Sequence, residues 1–216
     1  MDNDFERILS GGTVVEVATA LVAEPGLANE RLADGFWPLE VVLRQADVAK
    51  AAALLRSGAD VFLPEHGCEL ALVTNVWLEA CHEAEPARLR TLLAAGLDSD
   101  LVLYDGHVTM LMSAAFASLA VVRLILTYHP EVDAQDERGW TPLMFAAATD
   151  SSSYKMEEGP TIVKELLNYG ANVLLRSSAG LTARMIAERQ DYACPELEQI
   201  KSILQDAERG IGGGRS

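Results

Sequence analysis

The chain has 216 residues, of which 32 are acidic and 17 basic, so its formal net charge at pH 7 is −15. Direct binding to nucleic acid is therefore disfavoured, because phosphates need cations opposite them. The sequence has no apolar run of membrane-spanning length and no signal-peptide pattern after its acidic N-terminus, so we expect a cytoplasmic protein that does not bind a membrane.

The predicted helices end in a motif that recurs along the chain. It consists of a leucine pair or Ile-Leu, two variable residues, a capping residue and a short polar turn. The copies lie at residues 54–61, 92–98, 125–133 and 166–173. Three of them carry glycine where a left-handed cap ends a helix. His129 takes that position in the third copy, which makes this copy the weakest.

The predicted helices begin in a second motif, which is clearest at residues 136–147. Gly139 supplies a β-turn, Thr141 is a helix N-cap, and Pro142 occupies the first helical position, where its missing N–H costs nothing. An apolar stripe of helical spacing follows. Related segments lie at residues 34–39, 67–71, 106–111 and 180–187. The 106–111 segment has one residue too many, and the 67–71 segment is the poorest match.

Together the two motifs resemble the ankyrin repeat, whose unit is a β-turn finger plus two helices of about 33 residues in all. Successive turn glycines, at positions 35, 67, 106, 139 and 180, are 32, 39, 33 and 41 residues apart. The resemblance implies an all-α ankyrin-repeat solenoid of β-turn fingers and antiparallel helix pairs. The two long spacings place insertions at residues 79–86 and 150–160, which we expect between the first and second helices of their repeats.

The domain organisation that this implies is one elongated domain, because each repeat packs only on its neighbours. We expect a degenerate N-terminal capping repeat over residues 1–33 and about five repeats over residues 34–208. The Gly-rich residues 209–216 are expected to form a flexible tail.

The negative charge is concentrated in the middle of the chain. Residues 65–158 contain 15 acidic and five basic side chains. Such clustering favours a basic protein partner, since opposite charges steer association. The alternative is that the charge serves only solubility.

In ankyrin-like folds the finger tips and the exposed face of each first helix form a concave groove that binds partners. The partner-binding candidates that the resemblance implies are Asp105, His107, Phe116, Asp133, Asp136, Glu137, Arg138, Trp140, Thr149 and Tyr154. Trp140 fits a binding hot spot at a finger tip, although its ring could instead pack against the neighbouring finger. Tyr154 lies in the second insertion, for which sequence drift is the alternative explanation. Asp60, Asp98 and Asn172 are expected to bond turn amides.

Catalytic and metal-binding patterns are absent from the sequence. The three cysteines, Cys68, Cys81 and Cys194, have no CxxC spacing, and the four histidines lack metal-ligand spacing. His66 and Cys68 nearly adjoin, but no third group that would orient a Cys–His pair is evident. We therefore expect a non-enzymatic protein without cofactor or metal, with a Cys68-dependent enzyme as the remaining alternative.

Two binding hypotheses follow. In the first, the protein is a bacterial inhibitor or immunity protein that masks a basic toxin such as a nuclease, and it is monomeric when free. In the second, it is an effector or scaffold that docks a host or cytoplasmic protein through apolar fingers. The salt dependence of association distinguishes them.

Overall fold

The computed structural model describes residues 2–64, 71–82, 86–104, 108–148, 156–191 and 194–212. The chain divides into two compact units, Met1–Asp98 and Ser99–Ser216. Both units are built from pairs of short helices joined by turns. The predicted all-α, ankyrin-repeat fold class is confirmed. The expected single elongated domain stays a prediction.

The described part of the first unit contains three helix pairs. Its helices are α1 (Asp2–Gly11), α2 (Val14–Ala23), α3 (Pro38–Arg44), α4 (Val48–Arg56), α5 (Leu72–His82) and α6 (Ala87–Ala94), with a 3-10 turn at Pro25–Asn29. Corresponding helices of the first two pairs stack, since α1 contacts α3 and α2 contacts α4. Leu39, Leu43 and Leu54 are fully buried between the helices, and burial of such side chains stabilises the fold by about 1.5–3 kcal/mol each.

The second unit repeats this arrangement. It contains β1 (Val102–Tyr104), β2 (Val108–Thr109), α7 (Met110–Ala117), α8 (Leu119–Leu126), α9 (Pro142–Ala147), α10 (Gly159–Tyr169), α11 (Ala183–Glu188) and α12 (Pro195–Gly212). The first helices stack in the order α7, α9, α11, and the second helices in the order α8, α10, α12. α12 includes residues 209–212, which the sequence assigned to the flexible tail.

The helices of the second unit begin as the motif predicts. Thr109, Thr141 and Thr182 each precede a first helix, and each hydroxyl oxygen accepts a hydrogen bond from the backbone N–H three residues later, at 3.3–3.4 Å. Pro142 is the first residue of α9. These bonds satisfy N–H groups that have no partner within the helix.

The helix ends also follow the motif. Gly58, Gly96 and Gly170 have positive φ angles, and His129 adopts the same left-handed conformation with φ of 55°. The Nδ1 atom of His129 lies 2.9 Å from the hydroxyl of Tyr169. Ala46, the second residue after α3, is a further left-handed residue, with φ of 53°.

Replacement of Ala46 by glycine is expected to stabilise the protein. The side chain is exposed, so the substitution removes little contact area, whereas a left-handed residue with a Cβ costs roughly 1–2 kcal/mol. We expect Ala46→Gly to raise the free energy of unfolding by about 1 kcal/mol in urea denaturation. The matched control, Ala52→Gly within α4, should lower it by about 1 kcal/mol. A loss of stability in both variants would contradict the left-handed conformation.

The inserted residues are placed differently from the prediction. α5 runs through His82, so the prediction of a connection is wrong for residues 79–82, which lengthen the first helix. Pro86 lies between α5 and α6 as predicted, and residues 83–85 lie outside the described residues. Of the second insertion, residues 150–155 lie outside the described residues, and Met156–Glu158 form a 3-10 turn before α10. β1 and β2 pair Val102 with Thr109 and Tyr104 with Val108, with a register shift between Val102 and Tyr104. The extra residue near Gly106 lies outside the described residues.

Candidate functional site

The fourth finger is the turn at residues 135–141, directly before α9. The N–H of Asp136 donates to the carbonyl oxygen of Trp140 at 3.0 Å, and the N–H of Gly139 donates to that of Asp136 at 2.8 Å. The same two bonds, four and three residues apart, close the fingers that begin at Leu32 and Ser177. One backbone geometry is therefore built in three repeats.

The side chain before each of these fingers clamps the turn. Arg31, Gln135 and Arg176 each donate a hydrogen bond to the carbonyl oxygen of the glycine four residues later, at 2.9, 2.9 and 2.6 Å. Gln135 also donates to the carbonyl oxygen of Arg176 at 3.3 Å, which joins the fourth finger to the fifth.

Asp136 is the side chain that shapes the fourth finger. Its Oδ1 atom accepts hydrogen bonds from the N–H of Arg138 at 2.9 Å and of Trp140 at 2.7 Å. Its Oδ2 atom accepts from Nε of Arg138 at 3.0 Å, and the side chain is only 4% exposed. The carboxylate is therefore engaged within the turn, where it fixes the position of the Arg138 guanidinium.

Arg138, Trp140 and Phe145 form a cluster that we call the aromatic–arginine surface. The central guanidinium carbon of Arg138 lies 4.6 Å from the centre of the Trp140 ring and 5.7 Å from that of Phe145. The two rings meet edge to face, with centroids 5.5 Å apart. Arg138 remains 61% exposed and both aromatic residues are half-buried. The surface is thus held rigid by cation–π and aromatic contacts while remaining accessible.

The fifth finger packs closely against the fourth at Gly139. The N–H of Ser178 donates to the carbonyl oxygen of Arg138 at 2.8 Å. A Cβ atom on Gly139 would lie 2.8 Å from the Ser178 nitrogen and 3.2 Å from two backbone atoms of Ser177. Gly139 also has φ of 72°. This position therefore requires glycine both for its backbone conformation and for space.

Other acidic residues near the fingers bond the backbone of the following repeat. Asp100 accepts from the N–H of Glu131, and Asp133 accepts from the N–H of Asn172, each at 2.9 Å. In the first unit, Asn29 accepts from the N–H of Asp60 at 2.7 Å. These side chains have a structural role between repeats.

The prediction that the Asp60 and Asn172 side chains accept hydrogen bonds from turn amides is confirmed. Asp60 accepts from the N–H of Phe62 at 2.8 Å, and Asn172 accepts from that of Leu174 at 3.0 Å.

Residues 110–205 match the family model of ankyrin repeats, in three copies. The chain is thus similar to ankyrin repeat proteins. It is 28% identical over 154 residues to the putative ankyrin repeat protein YahD of Escherichia coli (strain K12), and the match covers 70% of each chain. It is 38% identical over 85 residues to the mouse ankyrin repeat and SAM domain-containing protein 6, where the match covers 39% of this chain and 9% of the relative.

The fold is shared with a solved ankyrin repeat domain from Acinetobacter baumannii AYE. The superposition has a TM-score of 0.58 at 21% sequence identity, and it covers 96% of this chain and 99% of that domain. Ankyrin repeats are interaction modules, in general without enzymatic activity, so the matched repeats indicate a protein–protein interaction module. None of the described helices is sufficiently long and apolar to cross a membrane.

The predicted site residues of these ankyrin repeats differ in their surroundings. Glu137 is exposed, Phe116 is half-buried on α7, Asp133 is half-buried, and Asp136 is buried. The structure brings Asp136, Arg138 and Trp140 together.

Four other candidates lie outside the described residues, namely Asp105, His107, Thr149 and Tyr154. The His66 and Cys68 pair also lies outside them. Among the described residues, no group of three or more potential metal ligands occurs.

Phe145 is the member of the surface that the sequence analysis missed. The predicted apolar stripe of the ankyrin helix α9 contained Leu143, Ala146 and Ala147, all of which are buried. Because successive residues of an α-helix are rotated by 100°, Phe145 projects from the side opposite to this stripe. An aromatic residue off the buried stripe, five positions after Trp140, was the available signal.

Proposed function

We propose that this chain functions as an ankyrin repeat protein and binds its partner through the aromatic–arginine surface of the fourth finger and α9. The observation that carries the proposal is the accessible Arg138 guanidinium, stacked on Trp140 and anchored by Asp136. Tryptophan and arginine are enriched among residues that dominate binding energy. Because their geometry is fixed before binding, little side-chain entropy is lost on association. The sequence-based candidates Asp105, His107, Phe116, Thr149 and Tyr154 are retained as further proposed contact residues.

The partner proposed first is a basic protein, in the sharpest form a toxin such as a nuclease that this chain masks. The net charge of −15 supports this proposal. So do two exposed carboxylates, Glu131 before the fourth finger and Glu137 within it. Asp100, Asp133 and Asp136 contribute charge while their oxygens accept backbone hydrogen bonds. Long-range attraction would therefore accelerate association, and the aromatic–arginine surface would supply the contact energy.

The second candidate is an effector or scaffold that docks a host or cytoplasmic protein mainly by apolar contacts. The half-buried Trp140 and Phe145 rings favour it, because they offer aromatic area next to a single cation. In this case the negative charge contributes to solubility alone.

Both candidates predict that Trp140→Ala weakens binding of the physiological partner. The partner would be captured from a lysate of the source cells with immobilised full-length chain, identified by mass spectrometry and produced recombinantly. We expect Trp140→Ala to raise Kd at least about tenfold, since a truncated hot spot costs about 2 kcal/mol or more. Phe62→Ala is the matched control, because Phe62 is an aromatic residue 49% exposed in the first unit. Equal affinity of the wild type and Trp140→Ala would refute the proposed surface.

The salt dependence of the same interaction separates the two partner classes. Association rates would be measured by surface plasmon resonance at about 50 mM and about 300 mM NaCl, a range over which screening between exposed charges increases strongly. A basic partner predicts a fall of about tenfold or more in the association rate. A rate that is unchanged by salt would exclude electrostatic steering and favour the apolar mode.

A further inference from the structure

The N-terminal capping repeat contains a groove that is separate from the finger surface. The groove has a volume of about 490 Å³ and is bounded by α1, by the end of α2 and by the 3-10 turn that follows. Phe5, Ile8 and Leu27 supply large apolar side chains to it. Phe5 is buried, whereas Ile8 and Leu27 are half-buried. Apolar surface thus remains accessible on the repeat whose outer side usually carries polar residues.

Three exposed carboxylates also line the groove, namely Asp4, Glu24 and Glu30. Asp4 forms an ion pair with Arg7 on the same helix. Within the described residues, Glu24 and Glu30 form no side-chain hydrogen bond or ion pair. The groove therefore joins an apolar floor to negative charge that is not neutralised by a neighbouring cation.

The surrounding charge has the same sign. Residues 1–98 contain 16 acidic and seven basic side chains. Arg31, the residue after Glu30, is engaged elsewhere: its central guanidinium carbon lies 4.3 Å from the centre of the Trp37 ring, and its side chain donates to the carbonyl oxygen of Gly35. An occupant of this groove must therefore present apolar side chains to the floor and positive charges to the rim.

We propose that the N-terminal groove binds a basic amphipathic helix of a partner protein, with leucine-like side chains on Phe5, Ile8 and Leu27 and with Lys or Arg beside Glu24 and Glu30. A helix fits because one apolar stripe can enter an open groove while its cationic flanks stay at the solvent edge. This binding site goes beyond the proposed function of the fourth finger, and either site can fail without the other.

The probe for this proposal is a fluorescent 18-residue peptide of leucine and lysine in amphipathic helical order. Its affinity for the full-length chain would be measured by fluorescence anisotropy. A peptide of the same composition in scrambled order, and a leucine–glutamate counterpart, serve as peptide controls. We expect the ordered leucine–lysine peptide to bind at least about fivefold more tightly than the scrambled one, because only the ordered peptide has an apolar stripe.

Two groups of variants place the binding in the groove. Glu24→Gln combined with Glu30→Gln removes both unpaired carboxylates and should weaken binding about fivefold. The charge-matched control, Glu157→Gln with Asp191→Asn, changes two exposed carboxylates of the second unit and should leave binding within about twofold. Ala23→Gln, an uncharged and helix-compatible change at an exposed groove position, should also weaken binding by obstruction.

Each outcome of these measurements either supports or overturns binding in the N-terminal groove. Selective loss in the Glu24/Glu30 and Ala23 variants supports the proposal. Equal losses in both carboxylate pairs would show non-specific attraction to an acidic protein and would overturn it, as would equal affinity for ordered and scrambled peptides. Analytical ultracentrifugation gives an independent result, since a dimer that Ala23→Gln dissociates would identify a second copy as the occupant and also overturn the proposal.

Discussion

Replacement of Gly139 by alanine is expected to lower the free energy of unfolding of the second unit by about 3 kcal/mol. A left-handed residue with a Cβ costs roughly 1–2 kcal/mol, and forcing an atom into a closely packed region adds roughly 1–3 kcal/mol. Both costs apply here, because φ is 72° and the new Cβ would lie 2.8 Å from the Ser178 nitrogen. That nitrogen is backbone and cannot turn aside as a flexible side chain could.

Gly180→Ala is the matched control for this prediction. Gly180 lies at the same place in the next finger and has φ of 75°, but a Cβ atom added there would have no neighbouring atom within 4 Å. Only the cost of the left-handed conformation remains, so we expect Gly180→Ala to lower the free energy of unfolding by about 1 kcal/mol. Urea denaturation followed by circular dichroism measures both variants in the same unit. Equal losses would show that close approach of the fifth finger contributes nothing.

Replacement of Asp136 by alanine is expected to destabilise the same unit by about 3 kcal/mol. The carboxylate accepts two backbone hydrogen bonds and pairs with Arg138 while being 4% exposed. Its removal leaves the N–H groups of Arg138 and Trp140 without this acceptor, and each unsatisfied group costs about 1–3 kcal/mol where it is buried. Trp140 fluorescence should also change, because the Arg138 guanidinium loses its anchor over the ring.

Serine at position 136 should restore part of the lost stability. In the fifth finger the corresponding residue is Ser177, whose hydroxyl oxygen accepts from the N–H of Leu181 at 3.3 Å. Asp136→Ser keeps one hydrogen-bond acceptor for the turn but loses the ion pair with Arg138. We therefore expect its free energy of unfolding to be about 1 kcal/mol higher than that of Asp136→Ala. Identical stabilities of the serine and alanine variants would argue against the turn hydrogen bonds as the cause.

The regular parts of the fold could be predicted because they depend on local chemistry. Thr141 caps α9, and Gly170 ends α10, through interactions with residues close to them in sequence. The left-handed backbone at His129 was also indicated by its position in the motif, despite the unfavourable residue type. A repeated local pattern thus predicts the repeated structure.

The roles of the acidic residues could not be predicted from local pattern. Asp133 was a candidate for partner contact, yet its oxygen accepts the N–H of Asn172, which is 39 residues away. The length of α5 was missed because extra residues can extend a helix as easily as they form a loop. Phe145 was missed since its importance depends on the ring of Trp140 beside it.

The carboxylate and amide side chains that bond the next repeat have a consequence for how this protein tolerates changes in length. Asn29, Asp100 and Asp133 each connect one repeat to a backbone N–H located 31, 31 or 39 residues later. The 39-residue interval spans the second insertion, and the bond is nevertheless formed. Added residues can therefore enlarge a repeat between its helices without changing the distance to its neighbour, whereas lengthening the turns themselves would separate donor from acceptor. New binding segments can accordingly be inserted at the helix connections of such a protein while its repeat-to-repeat register is kept.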